Sequence, residues 1–297
     1  MKITLIGVGV MGTGIASNLL QAGRALTIYD IEEDRLAALV RAGAHAVTSV
    51  AAAAIKADVV MLSLPNATLV QEIAEEALSH MRAGTVLIDL STSPPSMARS
   101  LAERASQSDI AFLDAPVSGG QRGASDGTLS VMVGGNPSTF DSVQSLFDDI
   151  GTHVYHMGDV GAGQVTKLVN NMMCFTSMWS VVEGLALATQ ANVEPNLFRE
   201  VVSRSSGNTF VWRGGTAAIL KDKLDPTFDL RLIKKDLQLA LDLADELNVD
   251  TPIARNASDL VDHFIELGFV EEDIFATIKH HEAELNTVIR GRWQALR

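Results

Sequence analysis

The sequence predicts an α/β chain in two parts: a parallel sheet covered by helices over residues 1–160, then an all-helical part over 161–297, the two joined by a long helix. Three observations carry this. The chain has 297 residues, more than one hydrophobic core usually spans, so two domains are expected. Through the first half, short β-branched runs alternate with stretches of helical periodicity, the pattern of a parallel sheet covered on both faces. After Gly163 the strand signal stops.

Each element has its own reason. Ile3–Ile6, Ala25–Tyr29, Val59–Leu64, Thr85–Asp89 and Ala111–Leu113 are apolar runs bounded by Gly, Pro, Asn or Asp, and read as strands. Between them, Met11–Ala22, Glu32–Ala42, Thr68–His80 and Ser96–Ala105 carry apolar residues at helical spacing. Ser130–Val133 and His153–Tyr155 flank a helical stretch, Pro137–Asp149, and are expected to extend the sheet. Ala51–Ala54 is only a short alanine run. Gln164–Gln190 reads as one long helix, followed by helical patterns near Asn196–Ser203, Asp229–Leu247, Pro252–Leu267 and Glu272–Glu284. The boundary is expected near Val160, where Gly158, Gly161 and Gly163 cluster.

Composition narrows the function classes. With 47% apolar and 20% charged residues, the chain can build large cores and lacks the composition of disorder. A formal net charge of −13 speaks against nucleic-acid partners, which need a basic footprint. It leaves room for a nucleotide cofactor held by backbone N–H groups. The single cysteine, Cys174, has no partner for an internal disulfide, which fits a reducing cytoplasm. Met1-Lys2 leads straight into the first strand, with no signal-peptide pattern. Leu168–Ala191 is apolar enough to resemble a membrane span. Asn170, Asn171 and Glu183 lie inside it, so a buried helix is expected and no membrane partner.

Gly7-Val8-Gly9-Val10-Met11-Gly12 follows the first strand and opens the first helix. A dinucleotide fingerprint needs that context: Gly7 for the tight turn, Gly9 for close approach to pyrophosphate, Gly12 for helix–strand packing. The bare spacing also fits a plain glycine turn. Asp30 ends the second strand, where a carboxylate accepts the hydrogen bonds of an adenosine ribose and repels a 2′-phosphate; Asp is also common in turns. Asp30-Ile31-Glu32-Glu33-Asp34 sets four acids against Arg35, which favours NAD over NADP. The first part therefore reads as a Rossmann-type dinucleotide-binding domain, followed by the all-helical domain.

Asp114-Ala115-Pro116-Val117-Ser118-Gly119-Gly120 ends another strand with a hydroxyl on a glycine-supported loop. Such a loop can offer Ser118 Oγ and backbone N–H groups to a carboxylate, or be a simple turn. Lys167 and Asn171, four apart at the start of the long helix, share one helix face. A lysine in so apolar a stretch is oddly placed for a solvated charge, although lysines do snorkel at helix starts. The seven histidines show no metal-ligand spacing, no metal is expected, and His280-His281 reads as a surface pair.

Together these pieces resemble the β-hydroxyacid dehydrogenase family. The resemblance covers essentially the whole chain and rests on Gly7–Gly12, Leu64-Pro65-Asn66, Asp89-Leu90-Ser91-Thr92, Asp114–Gly120, Gly127-Thr128-Leu129 with Met132–Gly135, Gly161–Asn171 and Lys235-Asp236-Leu237. It implies that Lys167 is the catalytic acid/base, that Asn171 positions the substrate, and that Ser118, Gly119 and Gly120 hold its carboxylate. It implies that Val10, Met11, Leu64, Pro65 and Asn66 border the cofactor with the fingerprint glycines, that Thr92 lies near the nicotinamide, and that Lys235 reaches the cofactor from the second domain. The implied substrate is a small carboxylate-bearing hydroxy acid or semialdehyde, and the implied assembly a homodimer or homotetramer. Ser205–Asn208 and Trp212 lean toward the hydroxyisobutyrate and serine types, and Phe228 and Asp236 are expected to shape the pocket. Two alternatives stay open: an imine reductase on the same scaffold, which usually lacks the lysine, and a non-catalytic NAD-binding module. 6-Phosphogluconate dehydrogenases are longer and place a His where Asn170 stands.

Overall fold

The computed structural model describes residues 1–225 and 229–294; Phe228 lies outside them. Contacts divide the chain into two units, 1–168 and 169–297, a division that falls inside the long helix.

The first unit is built on a nine-stranded sheet. Strands β1 (Ile3–Ile6), β2 (Leu26–Tyr29), β3 (His45–Ala46), β4 (Val59–Leu62), β5 (Val86–Asp89) and β6 (Ala111–Asp114) run parallel in the order β3-β2-β1-β4-β5-β6. Residues alternate between the two faces with period two. Ile3, Leu5, Val59 and Met61 enter one core; Ile6, Val60 and Leu62 enter the other. Both faces are covered, and that is why these strands are mostly apolar on both faces. On the first face lie α1 (Val10–Gln21), α2 (Glu33–Arg41) and α7 (Pro137–Asp148). On the second lie α3 (Val50–Ala54), α4 (Ala67–His80) and α5 (Pro95–Ser106). β7 (Val117–Ser118) and β8 (Leu129–Gly135), separated by α6 (Gly120–Asp126), extend the sheet antiparallel past β6, and β9 (Gly151–Gly158) closes it parallel to β8. The expected extension by Ser130–Val133 and His153–Tyr155 is therefore present.

The second unit takes most of α8 (Ala162–Gln190), then α9 (Pro195–Ser203), α10 (Phe210–Lys221), α11 (Leu230–Glu246), α12 (Pro252–Phe264) and α13 (Ile278–Glu284). By length and composition α8 passes as a membrane span. Its apolarity has another use here: Phe175, Trp179, Val182 and Leu185 are core residues of this unit. His280-His281 is not the surface pair expected. Both rings are half-buried, with the His280 ring edge-on to Phe264 at 5.4 Å, and burial lowers the His281 pKa, helped by the neighbouring His280.

Candidate active site

Parallel strands deliver their carboxyl ends to one edge, and open α/β sheets bind ligands there, where strand order reverses. β1 stands at that reversal, with β2 on one side and β4 on the other. Gly7 leaves β1 with φ +90°, and a Cβ there would sit 2.3 Å from the Ser63 carbonyl oxygen. A Cβ on Gly12 would sit 2.0 Å from the Gly7 carbonyl oxygen. Only glycine satisfies either position. Gly9 differs, because a Cβ there would find nothing nearer than Arg35 Nη1 at 4.0 Å. Gly9 also caps α1 without a side-chain hydrogen bond, leaving first-turn N–H groups facing an open cradle. Those features fit a pyrophosphate. Val10 is exposed and Met11 half-exposed beside them.

The Asp30 carboxylate is nearly buried and tied into the turn: Oδ2 accepts from Val8 N at 2.8 Å and Oδ1 from Glu32 N at 2.9 Å. Arg35 Nη1 stands 3.6 Å from Oδ1. The lone base of that acidic run thus sits against the acid itself, a juxtaposition the count of charges did not reveal.

Leu64 and Pro65 follow β4; Asn66 caps α4, its Oδ1 accepting from Leu69 N at 2.9 Å. Thr92 is half-exposed between the buried Ser91 and Ser93. Ser118 is half-exposed at the end of β7, Gly119 (φ +137°) and Gly120 (φ +63°) turn the chain into α6, and a Cβ on Gly120 would meet nothing within 4 Å. The loop therefore has an open face. Among the described residues, no three His, Cys, Asp or Glu side chains gather as a metal site.

Lys167 and Asn171 lie one turn apart on α8, 8% and 5% exposed. A lysine this enclosed is not a snorkelling surface residue. Within the second unit, Asn171 Nδ2 donates to Asp236 Oδ2 at 2.7 Å. Lys235 Nζ lies 3.2 Å from Asp236 Oδ1, close enough for an ion pair yet off hydrogen-bond alignment, so this buried oxygen has no aligned donor. Trp212 is 4% exposed, edge-on to Phe198 and donating Nε1–H to the Arg199 carbonyl, so its place is in the helical core.

Residues 2–158 match the family described as the NAD-binding domain of 6-phosphogluconate dehydrogenase, and 161–281 the one described as the NAD-binding part of NADP-dependent 3-hydroxyisobutyrate dehydrogenase. The chain is 35% identical over 295 residues to 2-(hydroxymethyl)glutarate dehydrogenase of Eubacterium barkeri, covering 98% of each. It belongs to the β-hydroxyacid dehydrogenase family. Like other members of that family, it is an NAD(P)-binding oxidoreductase of the type that acts on CH–OH groups. NAD-dependent L-serine dehydrogenase of Pseudomonas aeruginosa is 35% identical over 283 residues, 92% of this chain and 95% of that one. The structure of Mycobacterium tuberculosis 3-hydroxyisobutyrate dehydrogenase with L-serine superposes with TM-score 0.88 at 28% identity, covering 94% of this chain and 98% of that one.

Proposed function

We propose that this β-hydroxyacid dehydrogenase interconverts a small 3-hydroxy acid, of which 3-hydroxyisobutyrate is the example, and its semialdehyde, with NAD preferred over NADP. The carrying observation is Lys167, an enclosed cation one turn from an enclosed Asn171, on a helix that starts at the end of the sheet where the cofactor-type cradle lies. When bound, the nicotinamide supplies or takes up the hydride. The side chains manage the proton and the carboxylate. Lys167 Nζ takes the alcohol proton during oxidation and returns it to the carbonyl oxygen during reduction, a role worth about 10²–10⁴-fold. Ser118 Oγ and the N–H groups of Gly119 and Gly120 hold the carboxylate. Asn171, itself held by Asp236, orients the substrate. Gly7, Gly9, Val10, Met11, Gly12, Asp30, Leu64, Pro65, Asn66, Thr92 and Lys235 line the cofactor. We place the chain in the cytoplasm as a homodimer or homotetramer; exposed Met173 and Leu187 on α8 and Phe210 on α10 support self-association.

The test is a cofactor-absorbance assay over 2- and 3-hydroxy acids, semialdehydes and cyclic imines. Turnover highest on a small 3-hydroxy acid is expected. Activity confined to imines would replace this reading with the imine reductase alternative, and NADH binding without any turnover would replace it with the non-catalytic one.

A further inference from the structure

Lys167 can act only if its helix is fixed against the loops that carry cofactor and substrate, and the first unit contains a buried polar network at that point. The Asp114 carboxylate, at the end of β6, accepts from Gly161 N at 2.7 Å through Oδ1 and from Gln164 N at 2.8 Å through Oδ2. Gln164 is fully buried and spends both ends of its amide on one loop: Nε2 donates to the Ser91 carbonyl at 2.9 Å, and Oε1 accepts from Ser93 N at 3.0 Å. That loop is braced by Asp89, at the end of β5, which accepts from Ser91 N and Ser93 Oγ. Ser91 Oγ in turn accepts from Leu64 N at 3.0 Å. Glycine makes the approach possible, because a Cβ on Gly163 would sit 2.2 Å from the Met132 carbonyl oxygen.

We propose that Gln164 is a positioning residue for Lys167, its side-chain amide locking the first turn of α8 to the Ser91–Ser93 loop and so fixing the proton-transferring amine relative to Thr92 and Leu64. The chemistry of the position requires a neutral group that donates at one end and accepts at the other. The carboxylates of Asp89 and Asp114 both enter this network, so a further negative charge is unwelcome. A buried amide that serves two backbone groups is also costly to delete, since both partners are left unpaired. The sequence marked Gly161–Asn171 as one motif but gave Gln164 no task. The network assigns it one.

This inference rests on the hydroxyacid reading for its kinetic arm alone. Gln164→Met keeps the volume and removes both bonds. The expected result is a loss of kcat of about tenfold or more, as for an orphaned buried hydrogen bond, with NADH affinity and substrate KM within a factor of about three and a larger primary deuterium isotope effect. Amide hydrogen exchange in the peptide containing residues 161–167 should accelerate without cofactor or substrate present. Gln164→Glu supplies the second readout. Its protonated acid reproduces the donor and the acceptor, so its activity relative to wild type should rise as pH falls. The charged groups of this network are Asp89 and Asp114, with Lys167 one turn on, and wild type measured at each pH removes their own titration. Unchanged kcat and unchanged exchange in Gln164→Met would overturn the proposal. So would a ratio for Gln164→Glu that is flat with pH, which decides the matter if the methionine variant does not fold. A wild-type chain inert on every hydroxy acid would refute the proposed function, and the exchange arm would still decide the role of Gln164.

Discussion

At the scale of single residues, the enclosure of Lys167 is what the proposed proton transfer needs and what a solvated amine would lack. Lys167→Ala should lower kcat by about 10²–10⁴-fold and leave NADH affinity intact in a fluorescence titration. Lys167→Arg should not restore turnover, because a guanidinium keeps its proton. Turnover of the alanine variant within a factor of about three of wild type, below the range of an acid/base, would remove Lys167 from the mechanism. Asp30 invites a finer test. On the proposed reading its carboxylate would repel a 2′-phosphate, while Arg35, 3.6 Å away, would attract one. Wild type should prefer NAD in kcat/KM, and Arg35→Ala should widen that preference by about tenfold, roughly 1.4 kcal/mol. An unchanged ratio would show that Arg35 does not read the ribose. These side chains differ in how far the sequence revealed them. Gly7 and Gly12 announce themselves because only glycine fits there, and Lys167 because a lysine stands out in so apolar a stretch. The Asn171–Asp236 bond joins positions 65 apart, and no local pattern records it.

At the scale of elements, most strands and helices were legible because apolar period and glycine punctuation agree, as in β1, β4 and β5. β7 and α6 were not, because the stretch around Ser118–Gly120 reads as a glycine-supported loop, and neither were three others. α3 is capped by Ser49 yet consists largely of alanine, which gives no contrast between faces. β3 is two residues long. α10 carries Gly214 and Gly215 in its middle, and they read as breakers. Gly215 is there for packing: a Cβ would lie 2.3 Å from the Phe275 ring. That ring is itself in the helical core, so it has little room to yield. Gly215→Ala would gain helix propensity on an exposed helix, worth about 1 kcal/mol. Here overpacking, at about 1–3 kcal/mol, should win and lower the thermal midpoint. A midpoint that rises would show that Phe275 moves aside freely.

At the scale of the whole molecule, the two units carry titratable groups whose loss of solvent makes them answer acid in opposite directions. His281 in the helical unit gives up its proton more readily when folded, because burial disfavours the charged ring. Below its usual value of 6.5 the unfolded chain takes up that proton first, so acid costs this unit stability. Trp179, Trp212 and Trp293 all lie there, and their fluorescence should report an earlier melt on acidification. Asp89 in the sheet unit is fully buried, and desolvation raises its pKa from 3.8 to about 6, with the nearby Asp114 charge adding to it. Between those two values the unfolded chain ionises first. The contribution of Asp89 is therefore whole below 3.8 and lost as pH rises through about 6. The displacement corresponds to a cost of about 3 kcal/mol at neutral pH. Asp89→Asn keeps an acceptor for Ser91 N and can donate to Ser93 Oγ, so it removes the charge without breaking the loop. Calorimetry should show this variant melting about 5–10 °C above wild type near neutral pH, with the gap closing as pH falls through the window. A gap that is absent at neutral pH, or constant with pH, would mean that burial does not raise the Asp89 pKa. The brace beneath Gln164 would then be a carboxylate that its hydrogen bonds from Ser91 and Ser93 hold at no cost.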